Sequence, residues 1–443
     1  MSELPVVVVG AGPIGLAAAA QLLERGLEPL VIERGAQAGA AIAEWNHVRL
    51  FSAWRELVDP AAGRLLAPTG WQRPEPQGYP TGQEWVARYL RPLAATLGGR
   101  VQLDTEVVGV ARRGRDRVVD HGRETEPLTV HGRRADGTEE LVAARAVIDA
   151  SGTWRTPNPL GGDGLPAVGE RAAADRIAYH VPNLEDVEVR ARYAGKHVVV
   201  AGSGHSALTA LVALSGLVKE SPATRVSWVL RRGAVGNTFG GGEADQLPAR
   251  GALGSRAKDA VDAGVVSVVT GFRTEAVSRD TGGRLVLSSP QGNRVEAVDE
   301  VVAVTGFRPD LSWLSEVRLE LDATLQAPVA LAPLIDPNVH SCGTVYPHGA
   351  KELSHPEPNV FLAGMKSYGR APTFLAMTGY EQVRSIAAAL AGDHEAAGRV
   401  ELQLAETGVC GGAGLFDEPG GGTPAAGCCT PELISLSAPP SRH

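Results

Sequence analysis

A glycine-rich turn directly after an apolar run is the feature of this sequence that most restricts its fold. Residues 6–9 are consecutive valines, and Gly10, Gly12 and Gly15 follow in the spacing G-x-G-x-x-G. The first glycine permits a tight turn, the second lets backbone approach a pyrophosphate, and the third lets a helix pack on the strand. The sequence therefore predicts a strand, a turn and a helix whose N-terminus, at Pro13, binds a dinucleotide.

An acidic residue after the next apolar run predicts recognition of a ribose. Glu33 follows the run 29–32 and is expected to accept hydrogen bonds from the ribose hydroxyls of an adenosine. Arg34, beside it, is also expected to contact the cofactor. The alternative is a glycine-rich turn with no ligand, but the order of strand, glycines, helix and acid favours a dinucleotide.

A second fingerprint occurs in the middle of the chain, in the segment HVVVAGSGHSA that begins at His197. The next apolar run ends in Arg231 and Arg232 instead of an acid. Paired guanidiniums favour a 2′-phosphate, so the pattern predicts NADPH; a solvated strand end is the alternative for these arginines. His205 is expected to begin the helix and not to act in catalysis. The residues of this turn expected to bind the cofactor are Gly202, Ser203, Gly204, His205 and Ser206.

Four apolar runs that stop at glycine indicate buried parallel strands. They begin at Val6, Ala146, His197 and Glu300. The fold class predicted is α/β, with two Rossmann-like dinucleotide-binding domains of the three-layer ββα/βαβ kind. The charged stretch 112–141 is expected to form an antiparallel insertion or edge meander.

With both fingerprints in place, the chain resembles the flavin-containing monooxygenase and thioredoxin-reductase-like superfamily from about Val6 to about Gly392. DASGTWRTPNP, from Asp149, and TGFRPD, from Thr305, resemble its two linker strands. NVFLAGMKSYGRAPTFLAMTGYEQVRS, from Asn359, resembles its closing FAD segment, a strand, a glycine turn and a helix that faces the flavin. The resemblance implies FAD at the first fingerprint and NADPH at the second. It adds Gly152 and Gly364 to the expected FAD contacts.

The resemblance also implies that the NADPH domain is inserted in the FAD domain. The expected boundaries are 1–160 for the first part of the FAD domain, 161–330 for the NADPH domain with its linkers, 331–405 for the second part of the FAD domain and 406–443 for a flexible Gly- and Cys-rich tail.

The cysteine pattern favours the monooxygenase side of this superfamily. No C-x-x-C or C-x-x-x-x-C pair is present to receive hydride beside a flavin. YPTGQEWVARYL, from Tyr79, also resembles the monooxygenases. Their F-x-G-x-x-x-H signature, expected just before the second fingerprint, is absent; only Tyr179 and His180 are nearby. HSCGTVYPHGAKELSHPEPNVFLAGMKSYGRAPTF, together with ETGVCGG, resembles the flavoproteins encoded in bacterial arsenic-resistance gene clusters.

Three cysteines near the C-terminus are candidate ligands of a soft ion. Cys410, Cys428 and Cys429 could converge on one trivalent arsenic or antimony centre, because thiolates prefer soft ions and loop closure costs little more as a loop lengthens. The alternative is a disordered tail whose thiols are incidental.

The favoured hypothesis is an NADPH- and FAD-dependent monooxygenase that transfers one oxygen atom from dioxygen to a small soft nucleophile. Lys366, Tyr368 and Arg370 are expected to stabilise negative charge near the flavin, or else to bind FAD itself. The competing hypotheses are a reductase that passes electrons to a disulfide, a quinone or a partner protein, and a soft-metal-binding or sensing flavoprotein.

Composition excludes several other classes. The net charge is -8, and no block of Lys or Arg indicates a nucleic-acid partner. The N-terminal run has no basic residues before it and is broken by Gly10 and Pro13, so neither a signal peptide nor a membrane span is expected. Four cysteines make no disulfide framework, and a cytoplasmic enzyme is expected.

Overall fold

The computed structural model describes residues 4–338, 348–372 and 374–402. In chain order its strands are β1 (Val6–Val9), β2 (Pro29–Ile32), β3 (Val101–Gln102), β4 (Thr105–Arg112), β5 (Leu128–Arg134), β6 (Glu139–Ala144), β7 (Ala146–Asp149), β8 (Ile177–Ala178), β9 (His197–Ala201), β10 (Arg225–Val229), β11 (Val266–Val269), β12 (Ala276–Arg279), β13 (Leu285–Ser288), β14 (Arg294–Val298), β15 (Glu300–Ala303) and β16 (Val360–Leu362).

The helices are α1 (Pro13–Glu24), α2 (Ala40–Ala43), α3 (Trp54–Leu57), α4 (Pro60–Leu66), α5 (Gly82–Trp85), α6 (Arg91–Leu97), α7 (Val187–Tyr193), α8 (His205–Glu220), α9 (Pro248–Asp262), α10 (Ala332–Ile335), α11 (Ala376–Leu390) and α12 (His394–Gly398). A π-helical turn, Val86–Leu90, joins α5 to α6. Short 3-10 turns complete the helical segments, and one of them, Gly364–Tyr368, enters the site described below. Among the described residues, no helix has the length and apolar character to cross a membrane.

Two five-stranded sheets, each made of parallel strands, form the framework of the molecule. The first has the order β16-β7-β1-β2-β3, and the second has the order β11-β10-β9-β15-β8. The second sheet lies in sequence between β7 and β16, which are neighbours in the first. The second half of the molecule is therefore inserted in the first, as predicted; the domain boundaries stay predictions.

Each parallel sheet is covered on both faces, which explains why its central strand is apolar, at every position of β1 and at every position of β9 after His197. Val6 and Val8 pack against the helical layer that contains α1 and α11, whereas Val7 and Val9 pack against β4–β6. In the second half, alternate residues of β9 face α8 and α9 on one side and β12–β14 on the other. This arrangement confirms the three-layer prediction.

The two smaller sheets are antiparallel meanders, β4-β5-β6 and β12-β13-β14. Within the stretch 112–141 that was expected to be an insertion lie β5 and the first part of β6, but this meander begins earlier, at Thr105, and ends later, at Ala144. Its strands alternate buried and exposed residues because one face packs on the parallel sheet and the other faces outward.

The chain passes between the two halves in the segments 149–159 and 305–310, which we call the crossovers. After β7 both are irregular, and they are not the strands that were expected. They meet antiparallel at a single bridge between Pro157 and Phe307, and the Asn158 N–H donates to the Gly306 carbonyl at 2.9 Å. The Arg308 guanidinium then donates to the Asn158 side chain at 2.6 Å. Proline and glycine in these segments limit regular pairing, so side chains supply much of the connection.

Candidate functional site

Both glycine turns lie where one central strand ends against its neighbour. Gly10, after β1, has φ +100°, and a Cβ there would stand 2.9 Å from the Ser151 Cα after β7. Gly202, after β9, has φ +130°, and a Cβ there would overlap the Val304 carbonyl oxygen after β15. Glycine is required at both places because the neighbouring backbone passes so close. These are the switch points at which open α/β sheets bind ligands.

Each turn opens onto a helix N-terminus that has no side-chain cap. Gly12 caps α1 and Gly204 caps α8, and a Cβ added at either position would meet no atom within 4 Å. The first N–H groups of both helices are therefore available to an anion. Gly15 instead packs α1 on Gly10, and the buried Ala207 occupies the corresponding place in α8.

One cavity of about 670 Å³ extends from the first turn to the start of α8. It passes the Gly152 turn, the Gly364 turn and the N-terminus of α11. The predicted site residues that line it are Gly10, Gly12, Pro13, Glu33, Arg34, Gly152, His205, Ser206, Gly364 and Lys366. The structure therefore brings most of the expected FAD contacts together with the start of the second fingerprint.

Glu33 accepts hydrogen bonds from the backbone on both sides of its carboxylate and can still accept hydrogen bonds from a ligand. One carboxylate oxygen accepts from the Ala11 N–H at 2.7 Å, and the other accepts from the Gly35 N–H at 2.7 Å. Each oxygen has a further lone pair with which to accept a hydroxyl proton. Arg34, beside it, pairs with Glu106 at 3.1 Å on the exposed rim of the cavity.

Lys366 belongs to a buried ion pair beside the cavity. Its Nζ is 2.7 Å from Asp149 Oδ2, and both side chains are at most 1% exposed. Lys366 also donates to Ser151 Oγ at 3.0 Å, and Ser151 Oγ donates to Asp149 Oδ1 at 2.6 Å. The ammonium lies 4.8 Å from the centre of the Trp313 ring. Ser151 lines the cavity and so connects this pair to it.

The structure places the other two expected catalytic residues away from the cavity. Tyr368 is buried in the core against Phe374 and His348, and burial raises the pKa of its phenol. Arg370 is exposed and donates to the Gln326 side chain at 2.8 Å. Neither lines the cavity, because Tyr368 ends the 3-10 turn with its side chain in the core and Arg370 lies beyond the turn, at the surface. Only Lys366 of the three remains placed to stabilise charge there.

The arginines after β10 form a cationic cluster at the second turn. Burial lowers the pKa of Arg231, and repulsion from Arg232 and Arg273 lowers it further. Arg231 donates to the Gly162 carbonyl at 3.2 Å. Arg273 belongs to a different segment and was not expected from the sequence. Like-charged groups brought together in this way suit an anion with several oxygen atoms, as a 2′-phosphate is.

The end of the cavity nearest the start of α8 is aromatic. His180 stacks on Trp154 with ring centres 3.9 Å apart, and Phe307 lies 5.3 Å from Trp154. Further rings come from both halves, including the pair Phe51 and His205 at 4.9 Å. We call this set the aromatic end; its members are Trp45, Phe51, Trp154, His180, His205 and Phe307.

Burial keeps the two histidines of this end uncharged at neutral pH. It lowers the pKa of His180, and together with the nearby Arg250 it lowers the pKa of His205 to about 4. The sequence identified His180 only by its place before the second fingerprint. The convergence of Trp154 and Phe307 depends on the pairing of the two crossovers, for which no local pattern exists.

The residues present fit two dinucleotides. The open glycine caps suit pyrophosphates, the spare lone pairs of Glu33 suit a ribose, and the arginine cluster suits a 2′-phosphate. Cys410, Cys428 and Cys429, expected to bind a soft ion, lie outside the described residues, as does the whole predicted tail. Within the described residues, no group of His, Cys, Asp and Glu could hold a metal ion.

Comparisons with solved structures show a shared fold. Bacillithiol disulfide reductase Bdr (YpdA) from Bacillus cereus superposes with a TM-score of 0.65 and 21% identity, over 88% of this chain and 99% of that one. The FAD-bound cadaverine monooxygenase DfoA of Erwinia amylovora gives 0.60 and 13%, over 96% and 100%. Thioredoxin reductase from T. acidophilum gives 0.54 and 17%, over 89% and 99%.

Among curated proteins, none matches the chain. The model of the pyridine nucleotide-disulphide oxidoreductase family, however, matches residues 7–331, which include both glycine turns, both crossovers and the arginine cluster. The chain belongs to the pyridine nucleotide-disulphide oxidoreductase family and is an oxidoreductase.

Proposed function

We propose that this protein is an NADPH-dependent FAD monooxygenase of a soft nucleophile, with trivalent arsenicals and antimonite as candidate substrates. The balanced reaction takes substrate, dioxygen, NADPH and a proton to oxygenated substrate, NADP⁺ and water. When bound, the two cofactors supply hydride transfer and the reduction of dioxygen, and the protein supplies orientation and electrostatics.

The observation that carries the proposal is a continuous cavity between the two turns in a chain whose sequence has no C-x-x-C or C-x-x-x-x-C pair. Such a pair would receive the electrons of a flavin and pass them to a disulfide substrate. Dioxygen and a small substrate can share the cavity without any such relay.

The geometry of the two turns supports a set of proposed cofactor contacts. We assign Gly10, Gly12, Pro13, Glu33, Arg34, Gly152 and Gly364 to FAD and Gly202, Ser203, Gly204, His205, Ser206, Arg231 and Arg232 to NADPH. Lys366 supplies a fixed positive charge beside the cavity, because Asp149 and Ser151 hold its ammonium in place. A preorganised charge of this kind favours negative charge that develops near it.

A reductase is the second candidate, and the fold shared with a disulfide reductase and a thioredoxin reductase supports it. The acceptor would then be a disulfide, a quinone or a partner protein. A soft-metal-binding or sensing role would rest on Cys410, Cys428 and Cys429, and their replacement by serine would abolish metalloid binding and leave NADPH oxidation intact.

Oxygen dependence separates the first two candidates. The holoenzyme is assayed for NADPH oxidation with arsenite, methylarsenite, antimonite and thioethers, in air and under anaerobic conditions. We expect a substrate to stimulate NADPH oxidation only in air and to yield an oxygenated product. Equal turnover without oxygen contradicts the monooxygenase proposal. If neither the arsenicals nor antimonite stimulate NADPH oxidation, only the assignment of metalloids as substrates fails.

A further inference from the structure

We propose that the aromatic end, apart from His205 of the NADPH turn, binds the substrate and selects an uncharged soft nucleophile that carries an apolar or aromatic substituent, such as an aryl thioether or an aryl-substituted trivalent arsenical. The inference deepens the monooxygenase proposal and rests on it. It comes from the arrangement of the rings, from the charges around them and from their exposure to the cavity.

Three of the six rings are layered, whereas Trp45 is tilted by 55° to Trp154 and Phe51 by 48° to His205. Trp154, His180 and Phe307 lie within interplanar angles of 21° to 32° of one another. His180 covers one face of the Trp154 indole. A cation is held best by open ring faces that converge on it, whereas a layered group offers the remaining faces and edges to another flat or apolar group.

The rings are also only half-buried, so they leave apolar surface open to the cavity. Trp45, Trp154 and Phe307 come from three separate segments, yet all three line it. Burial of such surface by a ligand is favourable in proportion to the apolar area removed from water. A polarisable sulfur or arsenic atom gains additionally from contact with aromatic rings.

The cationic side chains around the cavity are already engaged. Four of its cationic side chains have carboxylate partners: Arg34 with Glu106, Arg49 with Glu84, Arg155 with Glu44 and Lys366 with Asp149. Glu44 also accepts the Trp154 Nε1–H at 2.8 Å, and the imidazoles of this end are neutral.

Such an environment disfavours a strongly hydrated substrate. A charged ligand or an inorganic oxyacid would lose hydrogen bonds with water and recover few of them among aromatic rings. An uncharged thioether or organoarsenical loses little hydration and keeps its lone pair available. The aromatic end therefore discriminates by the substituent that the soft atom carries.

Binding and turnover of two matched pairs test the inference. The unreactive probes are methyl phenyl sulfone and dimethyl sulfone, titrated into the oxidised holoenzyme and followed by the FAD absorbance. The reactive probes are methyl phenyl sulfide and dimethyl sulfide. We expect the phenyl member of each pair to be preferred by about tenfold or more, in dissociation constant and in kcat/KM.

Variants locate that preference. Trp154→Leu should reduce it to about twofold or less and leave the KM for NADPH unchanged, whereas Trp154→Phe should retain most of it. Trp71→Leu is the matched control, because this half-buried tryptophan does not line the cavity. If Trp154→Leu fails to retain FAD, Phe307→Leu provides the same comparison.

Equal binding of the two sulfones overturns the inference. So does a Trp154→Leu variant that raises the KM for NADPH and keeps the full phenyl preference, since the rings would then serve the nicotinamide. Failure of the proposed function looks different: the phenyl preference in binding persists, but no sulfide yields an oxygenated product.

Discussion

Lys366 and Asp149 form an ion pair so deeply buried that neither charge is stable without the other. Removal of one partner from a buried pair costs about 3–5 kcal/mol, because the remaining charge has no compensation. Ser151 stands between this pair and the cavity, so the pair connects stability to electrostatics at the site.

Lys366→Met should therefore destabilise the protein more than the double variant Lys366→Met/Asp149→Asn, which leaves no unpaired charge. We expect the single variant to lose about 3 kcal/mol of unfolding free energy and the double variant clearly less. Denaturant unfolding of the holoenzymes measures both. Equal losses would show that the two side chains do not interact as an ion pair.

The arginine cluster predicts a change in nucleotide preference. Arg231→Ser/Arg232→Ser should reduce kcat/KM for NADPH by about 10- to 100-fold and change that for NADH little, because only NADPH carries the 2′-phosphate. Flavin reduction followed anaerobically measures each nucleotide directly. The exposed Arg256 on α9 is the control position. An equal loss for both nucleotides would contradict the assignment.

Asp59 predicts a pH dependence of stability. It is fully buried, caps α4 at the Ala62 N–H, and accepts from Gln21 at 3.0 Å. Burial raises its pKa to about 6. Since an unfolded chain has a lower value of about 3.9, the native state holds the proton between these values, and stability falls as pH rises from about 4 to 6.

Asp59→Asn should remove this dependence and keep the helix cap, because asparagine also caps helices well. Near pH 4 the two proteins should have similar stability, and at pH 7 the variant should be more stable, by up to about 3 kcal/mol. Unfolding measured from pH 4 to 7 tests this. A stability difference that does not vary with pH would show that Asp59 does not titrate in the folded protein.

At the scale of elements, the strand and the glycine turn act as one unit. Gly10 and Gly202 occupy equivalent places, and each meets the backbone of a neighbouring strand that also ends in a glycine turn. A side chain at either position must displace that neighbour, and with it one wall of the nucleotide site.

Gly202→Ala should therefore abolish flavin reduction by NADPH while bound FAD is retained, since the first turn lies on a different sheet. Gly216→Ala is the matched control, because it lies within α8 and its Cβ would meet no atom within 4 Å. The control should be neutral or more stable by about 0.5–1 kcal/mol. Loss of FAD from Gly202→Ala would show that the two turns are not independent.

The elements that the sequence predicts best are those with local signals. The valine run, the glycine spacing and Glu33 indicate β1, α1 and β2, because the conformation of each of these elements is determined by residues that are neighbours in the sequence. The irregular crossovers were expected to be strands, since nothing local shows that their backbone pairing would be limited to one bridge and supplemented by side-chain bonds from Asn158 and Arg308. Resemblance to a family therefore predicts the order of strands and helices better than the conformation of irregular segments.

Only part of the site is formed by residues that are close together in the sequence. Lys366 was identified from the segment that precedes α11. Tyr368 and Arg370 were included with it because sequence does not show that Tyr368 ends a 3-10 turn in the core and that Arg370 lies beyond it at the surface. Asp149 and Arg273 are remote in sequence from the residues they meet. Their roles depend on strand order, which brings distant segments to one edge.

At the scale of the whole molecule, the cavity is a product of the insertion. The first half supplies the Gly10 turn and Lys366, the second half supplies the start of α8, and the crossovers supply Trp154 and Phe307. Hydrogen bonds from Arg308 to Thr156 and Gly164 hold these crossovers together. The aromatic end therefore exists only in the assembled protein.

The central claim is that electrons from NADPH reduce dioxygen and that one of its atoms reaches the substrate. Isotopically labelled dioxygen tests this most directly, with NADPH consumption and labelled product measured in the same reaction. We predict one labelled oxygen atom per product molecule and product formation that tracks NADPH oxidation. Product whose new oxygen comes from water, or substrate turnover that proceeds fully without dioxygen, would contradict the account.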